Sequence, residues 1–139
     1  MHSIFRDGDT VICRYEGATS IDELAAVHAI LEEAMAEHPK VFQIIDMRSY
    51  PLPPPEVRRW IAEWAKTHTL GGVAFFGAHP LVRVATLMIQ RTAQLFTQRP
   101  TTPLRFFATV EEARRWIDTL RVSPAIDRLR SGDLGTWQL

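Results

Sequence analysis

An apolar run at residues 41–46 that ends in Asp46 and passes through Met47-Arg48-Ser49-Tyr50 into Pro51, Pro53, Pro54 and Pro55 constrains this chain more than any other segment. With helical patterns on either side, a run of that length predicts a strand covered on both faces, as in a parallel sheet. The prolines predict a stiff loop and a helix that starts at Pro54 or Pro55, because first-turn residues need no backbone donor. In an α/β domain the junction between a strand and the next helix is a common place for chemistry. Here it holds no glycine cradle and no nucleophile paired with a base.

The rest of the chain repeats the strand-and-helix alternation. Residues 4–6 and 10–15 are short β-prone runs around Asp7-Gly8-Asp9, which predicts a hairpin. Ser20-Ile21-Asp22-Glu23 matches a capping box, and Ile21, Leu24, His28, Leu31 and Met35 recur at helical spacing until His38-Pro39, giving a helix over residues 21–37. A second stripe, Val57, Trp60, Ile61, Trp64 and His68, is expected to stop at Gly71-Gly72. A strand at 73–77 leads into a third helix at 81–97, and a strand at 104–108 leads through a second capping box, Thr109-Val110-Glu111-Glu112, into the stripe Ala113, Trp116, Ile117 and Leu120. A short helical turn at Ser123-Pro124 and a tail at 131–139 complete the reading.

The order β-β-α-β-α-β-α-β-α predicts an α/β fold. Its elements are a mixed sheet of about five strands, an N-terminal antiparallel hairpin and four main helices packed on the sheet. No linker or repeat divides the 139 residues, so one domain over 1–139 is expected, with its core at about 3–121 and a short helix and tail at 122–139.

Sixteen basic and sixteen acidic residues cancel, which argues against a nucleic-acid partner. The basic cluster Arg114, Arg115, Arg121, Arg128 and Arg130 alternates with Glu111, Glu112, Asp118 and Asp127, as on a solvated helical face. No apolar stretch is long enough to span a bilayer, and the N-terminus lacks the pattern of a secretory signal. With a single cysteine, Cys13, these features predict a cytoplasmic protein without disulfides. His2, His28, His38, His68 and His79 show no metal-ligand spacing, so no metal or cofactor is expected.

Three phrases in order carry a resemblance. They are Phe42-Gln43-Ile44-Ile45-Asp46-Met47-Arg48; Val73-Ala74-Phe75-Phe76-Gly77 before Leu81-Val82-Arg83-Val84; and Phe106-Phe107 before Glu111-Glu112-Ala113. Across residues 10–120 their sequence resembles the SpoIIAA-like (STAS) domains of the anti-sigma-factor-antagonist type, and more narrowly the STAS-like proteins related to CRAL-TRIO lipid carriers. The resemblance implies a binding or regulatory module rather than an enzyme. Regulatory members of that family carry an Asp-Ser-Ser-Gly-like segment where the chain enters the helix after this strand, and its serine is phosphorylated to switch partner binding. This chain has Arg48-Ser49-Tyr50-Pro51-Leu52-Pro53-Pro54-Pro55 there, so the phosphoswitch is not carried over to Ser49.

The candidate ligand- or partner-binding residues are Arg48, Ser49, Tyr50, Gly77, His79, Arg83 and Met88. Gly77-Ala78-His79-Pro80 opens a helix whose free N–H groups, with Arg83 a turn later, suit an anion, although an ordinary capped helix start uses the same residues. The third helix carries Leu81, Val82, Val84, Ala85, Leu87, Met88, Ile89, Ala93, Leu95 and Phe96, more than one apolar stripe. Its excess calls for cover by its own domain, by a second copy in a homodimer, or by an apolar ligand with Met88 and Phe96 as lining. Trp60 and Trp64 pack on the sheet or recognise a ligand. Asp46 is expected to pair with the following loop or with Arg48. The leading expectation is a non-enzymatic module for a protein partner or a small apolar or anionic molecule. The alternative is a small enzyme in which Asp46, His79 and Arg83 converge at the strand C-terminal ends.

Overall fold

The computed structural model describes residues 2–97 and 101–122. Strands β1 (Ser3–Asp7) and β2 (Thr10–Glu16) form the predicted hairpin. Its two-residue turn places Gly8 at φ 60°, a conformation that suits glycine at the first central position of a tight hairpin. Helix α1 (Ile21–Glu37), strand β3 (Phe42–Ser49), helix α2 (Pro55–Thr67), strand β4 (Gly72–Phe76), helix α3 (Pro80–Leu95), strand β5 (Leu104–Phe107) and helix α4 (Val110–Arg121) follow. The five strands lie in the order β1-β2-β3-β4-β5, with β1 antiparallel and the others parallel.

That order decides where the helices go. Each parallel strand is added on the same side of its predecessor, and a right-handed crossover then puts every connecting helix on the same face. Leu24 and Leu31 of α1, Val57 of α2 and Val82 of α3 accordingly share a core with Val11, Cys13, Ile45, Met47 and Phe75. Helix α4 follows the last strand, is free of the crossover rule, and covers the opposite face, where Ala113, Ile117 and Leu120 pack on Phe42, Ile44 and Ala74. β3 is buried on both faces over its first six residues, as the apolar run predicts.

Several boundaries differ from expectation. β3 continues through Arg48 and Ser49, because its pairing with β2 resumes at Glu16 and Ser49 after a register shift. Apolar patterning marks burial, and a backbone ladder can outlast it. α2 ends at Thr67, before Gly71-Gly72, and these glycines serve packing instead. A Cβ at Gly72 would stand 2.6 Å from Leu120 Cδ1, and one at Gly71 would stand 2.8 Å from Phe42 Cε1. The first capping box closes in both directions, Glu23 N donating to Ser20 Oγ at 3.1 Å and Ser20 N to Glu23 Oε1 at 2.9 Å. At Thr109 the Glu112 backbone N–H donates to the threonine Oγ1, while the Glu112 carboxylate accepts from the same hydroxyl. The turn at 123–124, Arg128, Arg130 and the tail at 131–139 lie outside the described residues.

Candidate functional site

The sequence candidates divide into an ion pair at the end of β3, a helix cap, and side chains that engage separate partners. Asp46 is almost fully buried and is gripped by Arg48, whose Nη2 donates to Oδ2 at 2.7 Å, whose Nε donates to Oδ1 at 3.0 Å, and whose backbone N–H donates to Oδ1 at 3.1 Å. Arg14 Nε stands 3.8 Å from Oδ2. The hydrogen bonds from Arg48 hold the Asp46 carboxyl below the usual carboxylate range, which makes it a fixed anion and a poor proton acceptor. The Arg48 guanidinium also lies 5.4 Å above the Phe76 ring. Gly77 runs beneath it at φ 72°.

Ser49 is exposed within the strand, and its carbonyl accepts from Gly17 N at 3.0 Å. Tyr50 turns inward, where its hydroxyl lies 2.8 Å from that of Thr19 and its ring leans on Tyr15 at a centroid distance of 5.1 Å. His79 is the N-cap of α3 and accepts from Leu81 N at Nδ1, 3.2 Å away. Arg83 lies over the Phe106 ring at 5.4 Å. Asp46, His79 and Arg83 thus engage three separate sets of partners. The helix start at Gly77–His79 uses its own imidazole as the cap.

Met88 is 63% exposed and Phe96 70%, so both stand on the outer side of α3. The inner side of the same helix, with Thr86, Ile89, Gln90 and Ala93, faces a cavity of about 170 Å³. The sheet supplies its floor through Gln43, Ile45 and Met47 of β3 and Val73 and Phe75 of β4. Leu24 and His28 of α1 and Ile61 and Trp64 of α2 close it from above. Trp64 is oriented by its indole N–H, which donates to Glu32 Oε1 at 3.0 Å, and by stacking on His68 at 4.1 Å. Side chains from α1, α2, α3 and the sheet meet here around empty space.

Its walls are mainly apolar, and among the described residues no Lys, Arg, Asp or Glu lines it. His28 is buried with its Nδ1 at 2.7 Å from the Leu24 carbonyl oxygen, and the edges of Trp60 and Trp64 pack against its ring. Burial pushes its pKa down, so the ring is neutral at pH 7. Gln43 donates from Nε2 to Cys13 Sγ at 3.5 Å. Burial pushes the Tyr15 phenol well above its ordinary value, which keeps this wall uncharged as well. Gln43 and the cavity itself went unrecognised in the sequence. The available signal was strand alternation, which places Gln43 on the same face as Ile45 and Met47. Among the described residues no cluster of His, Cys, Asp or Glu could hold a metal ion, and no helix is long and apolar enough to cross a membrane.

Solved structures share this arrangement. A protein of the DUF3478 family from Shewanella loihica with a SpoIIAA-like fold superposes with a TM-score of 0.59 at 20% identity, over 84% of this chain and 92% of that one. The anti-sigma factor antagonist SpoIIAA in its unphosphorylated form superposes with a TM-score of 0.55 at 15% identity, over 88% of this chain and all of that one. The fold is SpoIIAA-like. Neither a family model nor a curated protein matches the sequence. At these identities the SpoIIAA-like likeness concerns architecture: the antiparallel hairpin, the parallel strands and the helices that cover them.

Proposed function

We propose that this SpoIIAA-like domain is a non-enzymatic STAS-type binding module whose ligand, a small and mostly apolar molecule, occupies the cavity between the sheet and helices α1, α2 and α3. The observation that carries this reading is the cavity of about 170 Å³ walled by four different parts of the fold. A volume near 150 Å³ with apolar walls is enough to accept a benzene-sized molecule. A lining that carries no charged side chain among the described residues fits an uncharged guest better than the anion considered from the helix start. In this reading the module has no phosphoserine switch at Ser49, the last residue of β3, which lacks the Asp-Ser-Ser-Gly-like flanks. Native mass spectrometry of the freshly purified full chain tests the reading. A retained small mass, released on denaturation, is the expected result; an empty chain that also fails to bind any small apolar probe would sink it.

The outer side of α3 supports a second reading. Leu81, Val84, Leu87, Met88 and Phe96 are exposed there, and Lys66 Nζ lies 4.8 Å from the Phe96 ring. A contiguous apolar helix face suits a second copy of the chain or a protein partner. Sedimentation of the wild type and of Leu87→Glu is the measurement: a dimer lost in the variant supports a homodimer, and a monomer in both rejects it.

A further inference from the structure

We infer that the cavity selects a neutral, single-ring-sized apolar molecule that bears a hydroxyl group, which Gln43 and His28 hold. The inference rests on the cavity reading above and adds the chemistry of two polar lining residues.

Gln43 lies on the central strand and is only 4% exposed. Its amide makes one side-chain bond, the long N–H···S contact to Cys13, and its Oε1 has no hydrogen-bond partner among the described residues. Every sealed side-chain nitrogen or oxygen among those residues does have a partner. The remaining surface of the Gln43 oxygen therefore opens on the cavity it lines. An amide polar group left unbonded in so apolar a setting is costly, so the position favours an occupant that can donate to it.

His28 adds a second acceptor. A carbonyl oxygen can only accept, so the 2.7 Å contact to Leu24 O places the ring proton on Nδ1. In the neutral ring Nε2 then carries a lone pair, and it has no protein partner among the described residues. The cavity thus offers two acceptors, one on its floor at Gln43 and one above it at His28, together with the second amide N–H of Gln43. A hydroxyl group can donate to one acceptor and accept from that N–H, whereas a hydrocarbon satisfies none of them. A carboxylate would lose its hydration shell and meet two acceptor atoms with no countercharge among the described lining residues.

Phenol, toluene and benzoate are the probes, each titrated into the full chain and followed by amide NMR shifts. Wild type is expected to bind phenol and toluene but not benzoate. Gln43→Leu is expected to weaken phenol roughly threefold to tenfold, the worth of about one hydrogen bond, while toluene binds as well or better. Gln43→Met, closer in length to glutamine, gives the same comparison if leucine disturbs the fold. Phenol affinity unchanged in both variants, or benzoate binding more tightly than phenol, would overturn the inference. Toluene binding without phenol would reject the hydroxyl and leave the cavity reading standing; binding of neither would reject both.

Discussion

Gly77 passes so close under Arg48 that a Cβ on the glycine would stand 2.2 Å from Arg48 Cγ. The ends of β3 and β4 therefore fit together only with a bare backbone at position 77, where φ is 72°. Gly77→Ala meets two penalties, the left-handed conformation and the overlap, and is expected to lower stability by roughly 1–3 kcal/mol. Urea denaturation measures it. A change below about 0.5 kcal/mol, the usual scatter of surface substitutions, would mean that Arg48 moves aside freely.

The Arg48 pair gives stability a definite pH dependence. Its hydrogen bonds depress the folded-state pKa of Asp46 from the ordinary 3.8, so the contribution is present above that value and disappears as pH falls through the lower folded one. Arg48→Ala is expected to melt below wild type at pH 7, and the gap is expected to close below pH 3.8. A gap that is constant across the acid range would show that the guanidinium acts by covering Phe76 and not by charge.

His28 sets a second window. Burial lowers its pKa in the fold from 6.5, so the unfolded chain takes up a proton that the folded chain refuses as pH drops through that value. Stability is expected to fall from pH 7 towards pH 5, and His28→Phe is expected to flatten the slope. Thermal melts of both proteins at matched ionic strength are the check, and identical slopes would mean that the ring protonates in place.

Filling the cavity separates binding from folding. Ala93 is buried and lines the space from α3. Ala93→Phe projects a ring into it and is expected to abolish toluene binding while changing stability by no more than about 2 kcal/mol in either direction. Retained binding would place the site elsewhere.

Local chemistry made much of this fold legible. Helix α1 matches at both ends because a reciprocal capping box starts it and His38-Pro39 stops it. The order of strands and helices follows from alternation and from the hairpin turn at Gly8. What escaped depends on relations between elements. β3 outruns its apolar residues because β2 continues to offer hydrogen bonds. Gly71 and Gly72 look like a helix stop, yet they admit Phe42 and Leu120 from distant parts of the chain. Gln43 is hidden by its apolar neighbours Phe42 and Ile44, and only the placing of three helices turns it into one wall of a cavity. Met88 and Phe96 have the right chemistry for a lining, but the rotation of α3 presents Ile89 and Ala93 instead.

The crowding of α1, α2 and α3 onto one side of the sheet has a consequence for how such a chain diverges. Backbone handedness, which no side chain controls, sets which helices roof the floor formed by β3 and β4. One exchange at Ile61, Trp64, Ile89 or Ala93 then resizes the chamber without altering the order of the strands. The size of the chamber can change on this architecture while its topology stays the same.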